Sequence, residues 1–213
     1  MINTMTTKST AKYDAVMFDL LTALIDSWSL WDSVAGSSEK GRKWRGKYLE
    51  LTYAAGSYRP YEDIVAEAAA AVGLAPSIAP ELAQRWDELQ PWPEVSQVLA
   101  SLAGKARLAV VTNCSHELGH KAAQQTFDDF SVVVTAEEAG CYKPDRRPYA
   151  LTLEALGVPA ERTLFVAGSP SDVPGASTLG MPVYWHNRIG LPGRGDVVPN
   201  YHERSLHRLT DLV

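Results

Sequence analysis

Short, unbroken apolar runs punctuate the chain, and most of them stop abruptly at a polar group. Ala15–Phe18 ends at Asp19. Leu108–Val111 ends at Thr112 and Asn113, Val132–Val134 at Thr135, and Leu164–Ala167 at Gly168 and Ser169; Pro182–Trp185 is a fifth run. Continuous runs of this length, rich in Val, Phe and Leu, fit strands buried on both faces better than the alternation of a half-exposed strand. Helical spacing fills the intervals, over Glu94–Leu102, Glu117–Phe127, Arg147–Leu156 ahead of Gly157, and Asp172–Leu179 ahead of Gly180. A glycine just past the last periodic residue is a helix stop. Gly190–Asn200, rich in Gly and Pro, reads as a loop before a last helix over His202–Leu212.

Strands alternating with helices predict an α/β fold with a doubly wound parallel sheet. Such sheets bind ligands beyond the carboxyl ends of their strands, where Asp19, Thr112, Asn113 and Ser169 would converge. Residues 26–93 interrupt the alternation. They hold no strand run, three helical stretches (about Ser38–Ala54, Tyr61–Val72 and Ala79–Leu89), and a concentration of Trp and Tyr. This segment reads as an all-helical cap inserted between core segments 13–25 and 94–213, with Pro91 and Pro93 marking the return. The polar residues 1–12 read as a disordered tail.

The charge pattern narrows the partners. A net charge of −5 with no run of Lys or Arg argues against a nucleic-acid or membrane-surface protein. No stretch of about 18 apolar residues is available to span a bilayer, and residues 1–12 lack the apolar centre of a secretory signal. The two cysteines, Cys114 and Cys141, are not in a metal-binding spacing, which suits a reducing cytoplasm. His116 and His120 lie four apart and could face one metal. The sequence shows no third ligand beside them, so the pair reads as an ordinary helix surface, and no metal or cofactor is expected.

Four separated segments resemble one family. FDLLTAL with Asp19, VVTNCS with Thr112 and Asn113, YKPDRRPY with Lys143, and FVAGSPSDVPGA with Asp172 are similar, in order and spacing, to the four motifs of the haloacid dehalogenase superfamily. The resemblance covers about Ala15–Leu191 and implies a Rossmann-like core. Phosphatases of that superfamily carry a second Asp two residues after the nucleophile and an acid after the fourth-motif Gly. Leu21 and Ser169 stand there instead. A hard Mg²⁺ ion wants carboxylate oxygens, so a Mg²⁺-dependent phosphatase is the weaker alternative. The pattern is closer to the metal-free 2-haloacid dehalogenases. It adds Arg45 at their cap-arginine position, Tyr149 at their active-site tyrosine, and Asn187-Arg188 after the last strand.

That resemblance implies Asp19 as nucleophile, Lys143 as its charge partner and Asp172 as the group that orients or deprotonates water. It implies substrate contacts from Thr112, Asn113, Tyr149, Ser169 and the backbone N–H groups of Leu20 and Leu21. Arg45 and the cap aromatics Trp28, Trp31, Trp44 and Tyr48 would receive the leaving group. The substrate would be a small carboxylic acid attacked at its α-carbon, and a homodimer is expected because relatives often pair. Three departures mark the pocket. Ala23 replaces the family's Thr, Thr112 its usual Ser, and Ala167 and Ser169 its Ser and Asn. Two leaving groups stay open: a halide, or the ring amine of azetidine-2-carboxylate.

Overall fold

The computed structural model describes residues 12–213. The expectation of a disordered tail over 1–12 therefore lies, apart from Lys12, outside the described residues. Six parallel strands form one sheet: β1 (Ala15–Phe18), β2 (Arg107–Thr112), β3 (Val132–Thr135), β4 (Thr163–Ala167), β5 (Val183–His186) and β6 (Tyr201–Glu203), in the order β3-β2-β1-β4-β5-β6. The order reverses at β1, which pairs with β2 on one side and β4 on the other, so Phe18 lies opposite both Val110 and Val166. This reversal opens the crevice in which a doubly wound sheet places its ligand.

Successive side chains on a strand point to opposite faces. On one face Val16, Phe18, Leu108, Val110, Leu164 and Val166 pack with Val95, Val98, Leu99 and Leu102 of α5 (Val95–Leu102). On the other, Ala15, Met17, Ala109, Val111, Phe165 and Ala167 pack with Tyr149 and Leu156 of α8 (Arg146–Leu156) and with Val173 and Ala176 of α9 (Asp172–Ser177). Burial on both faces explains why these strands read as unbroken apolar runs.

Between β1 and α5 lie four helices: α1 (Ser27–Ala35), α2 (Ser38–Ala54), α3 (Tyr61–Ala71) and α4 (Ile78–Gln84), followed by a 3-10 turn at Trp86–Glu88. The chain leaves and re-enters the core through a two-stranded neck. Asp26 N–H donates to Gln90 C=O at 2.8 Å, Trp92 N–H donates to Leu24 C=O at 2.9 Å, and Ile25 bridges Pro91 antiparallel. The helices pack in sequence order around a chain of rings: Trp31 with Trp44 and Tyr48, Tyr48 with Tyr61, and Tyr61 with Trp86, at centroid separations of 4.5–6.0 Å. Trp86 Nε1 donates to Leu118 C=O at 2.9 Å and ties this layer to α6 (His116–Thr126).

Two short helices have no counterpart in the sequence reading. In α1 the Asp26 side chain caps Ser29 N–H, and Gly36 closes the helix at φ 79°. In α7 (Ala136–Ala139) Thr135 and Glu138 form a reciprocal capping box, and Gly140 closes the helix at φ 68°. The expected helix over His202–Leu212 is a correction. Tyr201–Glu203 adds β6 to the sheet edge, with His202 stacked on Trp185 at 4.4 Å, and only His207–Asp211 turns, as a 3-10 helix. The apolar positions Leu206, Leu209 and Leu212 recur every three residues, which matches the 3-10 period rather than the α period. Among the described residues no helix is long and apolar enough to cross a membrane.

Candidate active site

A cavity of about 400 Å³ opens where β1, β2 and β4 end, roofed by α1 and α2. Asp19 stands at its floor, one residue beyond β1, with its N–H on Val166 C=O at 2.9 Å. Its two carboxylate oxygens differ. Oδ1 accepts from the Lys143 ammonium at 2.7 Å. Oδ2 accepts from Thr22 Oγ1 at 2.5 Å and from the backbone N–H groups of Thr22 and Ala23 at 3.2 Å each. The missing hydroxyl at Ala23 is thus supplied one position earlier by Thr22, which the sequence reading left without a role. Gly168 makes room for it, because a Cβ there would lie 2.2 Å from Thr22 Oγ1 and 2.3 Å from Ala23 N.

Lys143 also reaches Asp172 Oδ2, at 3.3 Å, and Tyr149 OH donates to Asp172 Oδ1 at 2.6 Å. All four side chains are buried. Burial alone pushes both acids up, and the two then diverge. At Asp19 the Lys143 charge and the bonds from Lys143 and Thr22 outweigh burial, so the carboxyl sits below its ordinary value. At Asp172 burial prevails and the nearby Asp19 charge adds to it, against Lys143 and Tyr149, so this carboxyl is held above its ordinary value. Burial works against the Lys143 ammonium, but Asp172 and Asp19 together overcome it and hold it protonated. Two neighbouring acids driven apart in this way are suited to different chemical tasks.

Arg45 lies in the wall above. Its guanidinium is buried, stacks 4.0 Å from the Trp28 ring, and donates to Ser27 Oγ at 2.7 Å. Ser27 Oγ in turn donates to Leu21 C=O, so the helical layer is tied to the Asp19 loop. Among the described residues no carboxylate forms an ion pair with Arg45; burial is the chief influence on its pKa and lowers it. A buried cation facing a cavity without a counter-ion is a receptor for an anion.

Leu21, Trp28, Arg45, Tyr48, Thr112, Asn113 and Ser169 line the cavity with the catalytic candidates Asp19, Lys143 and Asp172. The other expected contacts lie elsewhere. Trp31 and Trp44 are core: Trp44 Nε1 donates to Val65 C=O at 2.9 Å, and both rings pack among their neighbours in the helical layer. Leu20 is fully buried, and its side chain belongs to the core rather than to the cavity wall. Tyr149 does not line the cavity; it holds Asp172 from below. Asn113 lines the wall, but its side chain clamps the Lys143 backbone, accepting from the N–H at 2.7 Å and donating to the C=O at 3.0 Å. Tyr48 OH donates to Asn113 C=O at 2.8 Å and braces the same turn.

Leu49 and Tyr53 also line the cavity. With Arg45 they recur every four residues along α2, which is one helical stripe. Leu191, Pro192 and Arg194 close its mouth, on a loop fixed by Asn187, whose side chain accepts from Leu191 N–H at 2.7 Å and donates to Leu191 C=O at 2.9 Å. Arg188 lies apart from the cavity, paired with Glu94 at 2.8 Å. Burial pushes the Cys114 thiol up to about 12, so it is inert.

Residues 13–180 match the family of haloacid dehalogenase-like hydrolases. The chain belongs to that family. It is 31% identical to haloacetate dehalogenase H-2 of Moraxella sp. (strain B) over 84% of this chain and 88% of the relative. It is 30% identical to (S)-2-haloacid dehalogenase H-109 of Pseudomonas putida over 94% and 97%. Among solved structures it is similar to L-2-haloacid dehalogenase of Xanthobacter autotrophicus with chloropropionic acid covalently bound. That likeness has a TM-score of 0.83 and 26% identity, and covers 94% of this chain and 98% of that one.

Proposed function

We propose that this hydrolase removes the halogen from small 2-haloacids through an ester on Asp19. The observation that carries the reading is the pairing of an ionised, Lys143-held Asp19 with a buried Arg45 that has no carboxylate counter-ion among the described residues, both facing one cavity. The helices over 26–93 act as its cap, and the substrate is a small carboxylate.

In the first step Asp19 Oδ1 attacks the α-carbon. Oδ2 is anchored by three donors, whereas Oδ1 has one, so Oδ1 keeps a lone pair for the new C–O bond. The C–X bond breaks and the halide leaves with its electron pair toward Arg45. The N–H groups of Leu20 and Leu21, which find no acceptor among the described residues, suit the substrate carboxylate together with Thr112. In the second step Asp172 takes a proton from water, and the resulting hydroxide adds to the ester carbonyl. That carbonyl oxygen is Oδ2, so the negative charge develops where Thr22 Oγ1, Thr22 N–H and Ala23 N–H already converge. They form an oxyanion hole in place before the charge appears. Collapse returns the Asp19 carboxylate and a 2-hydroxy acid, and Asp172 then releases its proton.

A halide fits Arg45 better than a ring amine does. An ammonium leaving group would meet an uncompensated like charge, and the Trp28 face that could bind it is already covered by the guanidinium. The test is a panel of chloroacetate, both 2-chloropropionate enantiomers, azetidine-2-carboxylate and a phosphate ester, each assayed with and without EDTA. Halide release undiminished by the chelator is expected. Amine or phosphate release without halide release would overturn the reading.

A further inference from the structure

On the outer side of α6, away from the cavity, the structure supplies the third group that the sequence does not reveal beside the histidine pair. His116 and His120 lie one helical turn apart, with ring centroids 4.4 Å apart. Glu138 of α7 brings one carboxylate oxygen, Oε1, to 3.0 Å from His116 Nδ1 and 3.2 Å from His120 Nε2. The three ligand atoms lie within 4.8 Å of one another. For Zn–N and Zn–O bonds of about 2.0–2.1 Å at tetrahedral angles, neighbouring ligand atoms are about 3.3 Å apart. The two observed edges are close to that value.

The carboxylate is held for this role. Glu138 Oε2 accepts from Thr135 N–H at 2.8 Å and from Thr135 Oγ1 at 2.9 Å, which fixes the other oxygen toward the imidazoles. Glu137 accepts the His116 backbone N–H at 2.7 Å and steadies the first turn of α6. The imidazoles are partly exposed, so a cation can enter from solvent and keep water in its remaining position. Two imidazoles and a carboxylate suit a borderline divalent ion such as Zn²⁺, Ni²⁺ or Cu²⁺, and not Mg²⁺ or Ca²⁺, which prefer all-oxygen shells.

We propose that His116, His120 and Glu138 form a divalent transition-metal site, separate from the catalytic cavity, that staples α6 to α7. Its position gives the staple a purpose. The turn before α6 carries Asn113, and the segment after α7 carries Lys143, the two residues clamped together at the cavity wall. A metal joining the helices braces both connections.

The test titrates ZnCl₂ into the metal-free full chain by calorimetry and follows thermal unfolding in parallel. Wild type should take up one equivalent at micromolar zinc and gain several degrees in midpoint. His116→Ala and His120→Ala, both at the surface, should each weaken zinc binding at least tenfold and abolish the gain in midpoint. Absence of saturable binding by wild type overturns the proposal, as does unchanged affinity in both variants. Cobalt(II) provides a further readout, since bound tetrahedral Co²⁺ should give visible bands that both variants lose. Halide release in EDTA, measured on the same preparations, keeps this result distinct from the catalytic reading.

Discussion

Replacing Thr22 by Val should separate the two chemical steps. The change keeps the backbone N–H and nearly the same volume, and removes only the hydroxyl that bonds Asp19 Oδ2 at 2.5 Å. In the first step Oδ2 begins as part of a full carboxylate and ends as an ester carbonyl. The hydroxyl therefore stabilises the starting state more than the transition state, and removing it should leave alkylation unimpaired. In the second step the order is reversed. The carbonyl begins neutral and acquires a full charge, so the lost donor is felt at the transition state. A hydrogen bond to a charged group contributes about 1.5–3 kcal/mol, or roughly 10- to 150-fold in rate. The two remaining donors, at 3.2 Å, are longer and keep only part of the effect. Rapid-quench assays with 2-chloropropionate should show a halide burst close to one per enzyme, then a slow steady state. Intact-mass spectra should show an ester on the Asp19 peptide. If alkylation slows as much as turnover and no ester accumulates, the assignment of Oδ2 to the oxyanion hole is wrong.

Further outcomes follow from the same geometry. Lys143→Met should cut turnover at least ~100-fold, the usual scale for losing a charge stabiliser. It should also move the acid limb of kcat/KM upward, because the ammonium is the leading influence that lowers Asp19; a steady-state pH profile near wild type in rate and midpoint would count against its role. Asp172→Asn should reduce kcat at least ~100-fold while sparing a single halide burst, and loss of the burst would show that Asp172 is needed before the ester forms. For the wild type, alkylation needs ionised Asp19, whose pKa lies below its ordinary value because the Lys143 charge and the bonds from Lys143 and Thr22 outweigh burial. The acid limb of kcat/KM should therefore fall below the ordinary carboxylate value of about 4, and a limb above that value would refute an ionised, Lys143-held Asp19 as the attacking group.

The sheet was legible in the chain because its strands are buried on both faces and end on polar groups, with Asp19 at one of those ends; Lys143, beyond α7, and Asp172, at the start of α9, were legible only through the motifs they sit in. What stayed hidden depends on direction or distance rather than residue type. Trp44 and Tyr53 are both aromatic residues of α2, yet only Tyr53 shares the stripe of Arg45 and faces the cavity; spacing by four from Arg45 was the available signal. Thr22 was obscured because its hydroxyl performs from one position what the family places at the next. Asn113 bonds backbone across 30 residues of sequence, and nothing local announces that. Edge strand β6 is short and polar, and it exists because β5 presents an unpaired backbone edge, a condition set by the tertiary structure.

The contact between the Asp19 loop and Gly168 lets one motif restrict what a distant one can carry. A hydroxyl at 22 can reach Oδ2 only while 168 carries no side chain, since even a methyl group would overlap the oxygen. A smaller residue at 22 would not lift the restriction, because a Cβ at 168 would also lie 2.3 Å from Ala23 N and 2.4 Å from the Thr22 carbonyl carbon, so 168 is confined to glycine whatever stands at 22. Variant libraries aimed at this pocket should hold Gly168 fixed and vary 22 and 23.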